Sequence, residues 1–386
     1  MRDPDSEIQN LRKSNLYREI NYSSTATGTT FENKGSTFLN FSSNDYLGLC
    51  NNQQIKEAAK IALGLYGVGA GASRLISGGT LPHQNIEKES AEFFGKPSSI
   101  FFANGYCASV GTLGSILQKG DTVILDKLCH ASLIDGSRLS GATLRTFSHN
   151  DLEKLEKILI SINHKKGNDN RILIVTEGIF SMDGDSSPIL EIIKLKKKHE
   201  ALLLIDEAHS FGILGDKGEG IVNYNGLQND VDFVMATFGK SAGAAGAITA
   251  SSEVWRNLII NKARSFIYST APMPSQAAAA LEGLRIIQSS EGDLRRKKLK
   301  KNITTLCNKL NLNIPDAAII PIMIGEEETA LKRSSELKRS GILAPAIRYP
   351  TVAKGSARIR ITISSNHTEN CLSKLSAAVL SFGSQK

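Results

Sequence analysis

Between residues 98 and 251, short apolar runs rich in β-branched residues alternate with longer stretches of helical spacing, and no other feature of this 386-residue chain limits its fold as tightly. The runs 99–102, 122–125, 143–147, 172–176, 202–205, 233–236 and 247–250 read as strands. Residues 108–117, 130–139, 151–160 and 189–199 read as helices, the last opened by Pro188 at a first-turn position. Strand, crossover helix and strand repeated in this way predict an α/β fold with a mostly parallel sheet covered on both faces. Such sheets bind ligands beyond the carboxyl ends of their strands, so the residues that follow each run are the ones to inspect.

After Pro272 and Pro274 the pattern changes. Helical stretches at 276–289 and 294–310 lead to a strand-like run at 317–324, a helix at 329–340, a strand-like run at 357–363 and a terminal helix reaching about residue 382. Fewer strands predict a smaller C-terminal α+β domain. The expected division is an N-terminal segment over 1–45, a large domain over 46–275 and a small one over 276–386.

Composition narrows the setting. Hydrophobic residues make up 41%, enough for these cores, and no apolar run approaches the roughly 20 residues of a membrane span. The opening residues, from Met1 to Glu7, hold three acids and lead into no apolar stretch, so no secretory leader is expected. Five scattered cysteines without a C-x-x-C pair fit reduced thiols in the cytoplasm, with no metal site. The net charge is +8, densest at 194–198 and 295–301. Those runs lack interleaved aromatics, so a solvated helix face is preferred over nucleic acid, while phosphorylated metabolites or an acidic carrier protein suit them equally.

Two strings imitate nucleotide motifs. Asp206-Glu207-Ala208-His209 spells a helicase magnesium motif, but Gly239-Lys240-Ser241 has Val234 where a phosphate loop needs glycine. Gly67-Val68-Gly69-Ala70-Gly71-Ala72 resembles a dinucleotide fingerprint, yet residues 53–66 ahead of it read as a helix rather than a strand. Both fail on context. The same residues make better sense as an enzyme site. Asp206 and Lys240 each follow a predicted strand and could reach one crevice. Lys240 stands among small or uncharged neighbours, and a desolvated ammonium there would lose its charge readily and attack a carbonyl to form a Schiff base. The alternative is a lysine pointing to water from a Gly-rich loop.

Five strings, in this order, resemble the α-oxoamine synthases: Gly69-Ala70-Gly71-Ala72-Ser73-Arg74-Leu75-Ile76-Ser77-Gly78 with His83; Asp126-Lys127-Leu128-Cys129-His130-Ala131-Ser132; Thr176-Glu177-Gly178-Ile179-Phe180-Ser181-Met182-Asp183-Gly184-Asp185; Asp206-Glu207-Ala208-His209-Ser210-Phe211-Gly212; and Thr237-Phe238-Gly239-Lys240. The resemblance runs from about Asn40 to about His367. It implies a fold-type I transferase of the aspartate-aminotransferase fold that depends on pyridoxal 5'-phosphate, and a homodimer with shared active sites.

It also implies roles. Lys240 would hold the cofactor and act as the base at the substrate Cα, Asp206 would pair with the ring nitrogen, and His130 would stack over the ring, with a helix-capping imidazole as the plainer reading of that histidine. His209 and Ser181 would bond near the ring oxygen. Gly105 and Tyr106, at a helix start, would meet the phosphate with Thr237, and Ser269-Thr270 would reach it from the neighbouring subunit. Arg360 would take the substrate carboxylate, although Arg358 shares its strand face and spacing alone does not separate them. The segments Phe41–Leu49, with Asn44, and Ala346–Val352, with Arg348, are most similar to members that join L-alanine to a pimeloyl thioester carried by coenzyme A or a carrier protein. Other members take glycine or long acyl chains. Arg18 is a candidate for the distal carboxylate of the acyl chain.

Overall fold

The computed structural model describes residues 3–163 and 170–383. Its main sheet has seven strands in the order Ser98–Phe102, Ala247–Ser251, Phe233–Thr237, Leu202–Asp206, Ile172–Glu177, Thr122–Asp126 and Thr143–Phe147. Ala247–Ser251 runs antiparallel to both its neighbours, and all other pairings are parallel. The mostly parallel α/β sheet is therefore present, and each strand lies within one residue of its expected bounds.

The physical reason is burial on both faces. Every residue of Ile172–Glu177 is buried. Ile172 and Ile174 join one apolar cluster and Leu173 and Val175 the other, so the pleat feeds two cores and the run reads as continuously apolar. Each such side chain contributes about 1.5–3 kcal/mol through burial.

Two helices are opened differently than expected. The one expected from 108 spans Gly105–Ile116, capped by the Asn104 side chain, which accepts from the Cys107 N–H. In the helix Ile189–Lys198, Pro188 is the cap residue and not part of the first turn.

The C-terminal residues form a small antiparallel sheet in the order Ile319–Gly325, Ala357–Thr362, Ala346–Ile347. A third sheet pairs the hairpin Thr30–Asn33 and Ser36–Asn40 with Ile342–Leu343. This clamps the segment that follows. Phe41 N–H donates to the Leu343 carbonyl, Ser365 N–H donates to the Tyr46 carbonyl, and Asp45 accepts from the Leu49 N–H at 2.7 Å. Asn44 and Tyr46 are thus carried in a fixed loop against the strand that holds Arg360.

The basic run 194–198 lies on a largely solvated helix face, the preferred reading, with lysines paired to nearby acids. Lys196, Lys197 and Lys198 pair with Asp232, Asp230 and Glu156 at 3.0, 2.6 and 2.6 Å. Most of its charge is matched locally. No helix among the described residues is long and apolar enough to cross a membrane.

Candidate active site

Asp206 ends the strand Leu202–Asp206, and Glu177 stands directly beside it at the end of Ile172–Glu177. Two carboxylates thus share the carboxyl edge of the sheet. Lys240 reaches the same place from the turn after Phe233–Thr237, and all three line a cavity of about 160 Å³ together with His130, His209 and Thr237. Gly105 and Tyr106 close its far side.

Enclosure dominates the electrostatics. Desolvation pushes the Lys240 amine down to about 8, against the pull of Asp206 and Glu177. Burial and the adjacent Asp206 push Glu177 up to about 8, and burial raises Asp206, opposed first by Lys240. A weakly held ammonium beside a buried carboxylate is poised to give up its proton and attack a carbonyl, and the carboxylate is left to stabilise a cation in the cavity. The lysine does not point to water. It hydrogen-bonds His209, Nζ to Nε2 at 2.7 Å.

The turn holding Lys240 is tight for a reason visible nearby. Gly243 has φ +65°, and a Cβ there would lie 2.3 Å from the Leu49 carbonyl carbon. The lysine turn therefore packs directly on the clamped 41–49 segment, and a larger residue at this point would displace the amine.

His130 lines the cavity and also caps the helix Ala131–Leu139. Its Nδ1 accepts from the Ser132 N–H at 3.2 Å, and its backbone N–H donates to Glu177 Oε1 at 2.6 Å. Both readings of this histidine hold together, because capping fixes the ring that faces the cavity. At the helix Gly105–Ile116, the N–H groups of Gly105 and Tyr106 have no protein acceptor among the described residues, which leaves a ready anion site. The Thr237 hydroxyl donates to the Gly246 carbonyl at 3.1 Å beside it.

The two arginines that spacing could not separate differ in their partners. Arg358 is ion-paired with Asp183. Arg360 has no carboxylate partner among the described residues; its Nε donates to the Ser181 carbonyl at 2.7 Å and its Nη2 to Asn44 Oδ1 at 3.2 Å. Of the two, Arg360 alone has no carboxylate against its guanidinium among the described residues.

A second cavity of about 430 Å³ shares His130 and is lined by Ser181, Leu128, Ile134, Met182 and Val352. The loop on its wall is pinned by His149, whose Nδ1 is 3.1 Å from Asp126 and whose Nε2 is 2.7 Å from Asp185, with the ring edge-on to Phe180. Burial disfavours the charge on His149, but hydrogen bonds to the two carboxylates outweigh it and hold the pKa at about 10. The stability this lends is complete below the usual histidine pKa and is lost as pH rises through about 10. His149→Ala is expected to destabilise the protein by about 1–2 kcal/mol at neutral pH. Urea denaturation should show the deficit shrinking as pH rises from neutral toward about 10; a deficit independent of pH would contradict the clamp.

Other expected residues stand apart from the Lys240 cavity. Arg348 donates to the Asn15 carbonyl at 2.6 Å, Arg18 is exposed, and neither lines it. Thr270 bridges to Ser73, and Ser269 and Thr270 lie outside the cavity of their own chain. Sequence reasoning gave Glu177 and Tyr46 no role, although both sit in the quoted motifs. The helicase reading ends on Glu207, a buried carboxylate consumed by the N–H groups of Ile221 and Val222 at 2.9 and 2.8 Å.

A family model described as "Aminotransferase class I and II" matches residues 36–379. The chain belongs to that family. Among members of this aminotransferase family, an 8-amino-7-oxononanoate synthase from Lysinibacillus sphaericus is 39% identical over 98% of this chain and 97% of its own length. The fold of a serine palmitoyltransferase from S. paucimobilis, solved with a bound PLP–myriocin aldimine, superposes with a TM-score of 0.90 at 28% identity, covering 99% of this chain and 98% of that one. An 8-amino-7-oxononanoate synthase from Francisella tularensis gives 0.74 at 30%, covering 90% and 99%. These relatives place the chain in the α-oxoamine synthase branch of the class I and II aminotransferases.

Proposed function

We propose that this protein condenses L-alanine with a pimeloyl thioester to give 8-amino-7-oxononanoate, free thiol and carbon dioxide, with pyridoxal 5'-phosphate as cofactor. The observation that carries the chemistry is the enclosed Lys240 amine beside the buried Asp206 carboxylate. The choice of substrates is supported by the names of relatives that match nearly the whole chain.

The residues present fit the cofactor. Lys240 supplies the amine for its aldehyde, Asp206 the anion for its ring nitrogen, and the first-turn N–H groups of Gly105 and Tyr106 the donors for its phosphate, joined by the Thr237 hydroxyl once its proton turns from the Gly246 carbonyl. Once bound, the cofactor supplies an electron sink for the carbanion at the amino acid Cα. Arg360 holds the amino acid carboxylate, oriented by the Ser181 carbonyl and Asn44. Lys240 then takes the Cα proton and later returns one. The new C–C bond joins Cα to the acyl carbon as the C–S bond breaks, and the original carboxylate leaves as carbon dioxide.

The acyl chain fits the second cavity. Of the charged side chains on its wall, Asp183 is matched by Arg358, whereas Lys127 forms no ion pair among the described residues. An apolar trough with one spare cation suits a chain that ends in a carboxylate, and gives this role to Lys127 rather than to Arg18.

We further propose a cytoplasmic homodimer. Leu65, Val68, Ile76 and Leu81 are 72, 70, 81 and 60% exposed within the one stretch 65–81, apolar side chains that a partner subunit would cover. The Ser73–Thr270 bridge ties Ser269 and Thr270 to that surface, from where they can serve the neighbouring phosphate site.

Thiol release with alanine, glycine and serine against pimeloyl, octanoyl and palmitoyl thioesters tests the reading. Alanine with pimeloyl should be best, and Lys127→Met should raise the KM for pimeloyl about fivefold while leaving octanoyl unchanged. Keto acid formed from alanine without thiol release would point to an aminotransferase instead.

A further inference from the structure

Residues far apart in sequence form one hydrogen-bonded line. Lys240 Nζ meets His209 Nε2 at 2.7 Å, His209 Nδ1 meets the Tyr46 hydroxyl at 2.7 Å, and that hydroxyl meets Asn44 Oδ1 at 3.1 Å. Asn44 Oδ1 also accepts from Arg360 at 3.2 Å, so the line joins the lysine to the carboxylate-binding arginine. Tyr46 is fully buried and His209 nearly so.

Counting protons along this line limits what it can do. A tyrosine hydroxyl has one proton and here two acceptors, His209 Nδ1 and Asn44 Oδ1. Burial pushes Tyr46 up to about 12, so it remains a hydroxyl. Burial and the charge of Lys240 hold His209 well below the usual histidine range, so a single ring nitrogen carries a proton. The other charged or titratable groups facing these residues are Asp206, Glu177, Arg360 and His130.

While Lys240 is an ammonium it can only donate. His209 Nε2 must then accept, Nδ1–H donates to the Tyr46 oxygen, and the Tyr46 proton goes to Asn44, with every group satisfied. When Lys240 no longer aims a proton at Nε2, the Tyr46 proton can turn to Nδ1. His209 then presents Nε2–H to the cavity, where it can meet an anionic oxygen.

We propose that Tyr46 is a positioning residue that sets which nitrogen of His209 is protonated, by turning its one hydroxyl proton between Asn44 and His209. That the donor so created serves the cofactor rests on the function proposed above; the switch itself does not.

The test uses cofactor-free protein labelled with ¹⁵N-histidine at neutral pH, with His209 assigned by loss of its signals in His209→Gln. Ring ¹⁵N shifts identify the protonated nitrogen. Wild type should be Nδ1–H. Lys240→Ala should move His209 to Nε2–H, and adding Tyr46→Phe should return it to the mixture of the free side chain. Tyr46→Phe alone should weaken cofactor uptake, followed by absorbance, about tenfold, the loss of one buried hydrogen bond of about 1.4 kcal/mol. A packing role for Tyr46 would lower thermal stability and leave the tautomer unchanged. His209 remaining Nδ1–H in Lys240→Ala, or an unaltered Nε2–H preference in the double variant, would overturn the proposal. The first comparison stands even if Tyr46→Phe fails to fold. No arm uses amino acid or thioester, so failure here leaves the proposed reaction standing, and failure of thiol release leaves the switch standing.

Discussion

Lys240→Ala is expected to lower turnover by roughly 10⁴-fold, the upper end of what a positioned base contributes. The purified variant should also lack the visible absorbance of lysine-bound cofactor. The fold should survive, because the amine's hydrogen bond is to His209 alone among the described residues and its removal relieves a desolvated charge. In the wild type, cofactor uptake by the empty protein should speed up as pH rises through about 8, since the unprotonated amine attacks the aldehyde and desolvation has brought its pKa down to that range. Stopped-flow absorbance measures this. A colourless wild type with full activity would refute the role of Lys240.

The second large effect separates two neighbouring arginines. Arg360→Lys should raise the KM for alanine about 10- to 100-fold, the loss of one charge-assisted hydrogen bond of roughly 1.5–3 kcal/mol from the planar guanidinium. Arg358→Met should leave that KM within about twofold. Its cost should fall on stability, about 1–3 kcal/mol, because the loop carrying the half-exposed Asp183 would lose its ion pair with the buried Arg358 and the bond from that guanidinium to the Met182 carbonyl. Steady-state kinetics with chemical denaturation of both variants decides the matter. The opposite pattern would move carboxylate binding to Arg358.

Much of this was legible in sequence, for reasons that can be stated. The inner strands from 98 to 251 read well because burial on both faces makes them continuous apolar runs, as at Ile172–Glu177, whereas the edge strand Thr143–Phe147 is mostly exposed and shows only as β-branched alternation. The helix Leu81–Phe93 gives no clear hydrophobic period because polar residues interrupt its inner face: His83, Glu87 and Ser90 are buried among Ile86, Ala91 and Phe93, and Glu87 is engaged by Arg74, Arg256 and the Phe101 N–H. A polar core looks like a surface to any hydrophobic period. The helix after Asn104 was read as starting late because glycine and asparagine look like loop until the cap is seen.

In the site, Asp206 and Lys240 could be placed together because both follow strands of one sheet. Tyr46 could not, since it lies 163 residues from His209 and reaches it only through the clamp made by the third sheet. The choice between Arg358 and Arg360 likewise depended on Asp183, a residue on a different loop.

The antiparallel strand has a consequence for how the chain is made. Ser98–Phe102 is an edge strand whose ladder partner is Ala247–Ser251, and Ser98 bonds a residue 153 positions later. At ribosomal speeds of about 5–20 residues per second, that segment waits roughly eight to thirty seconds for its mate. During synthesis a strand with three consecutive apolar residues, Ile100 to Phe102, is therefore left open to strangers, and protection by chaperones in that interval, rather than the strength of the finished sheet, would set how much active enzyme a cell obtains.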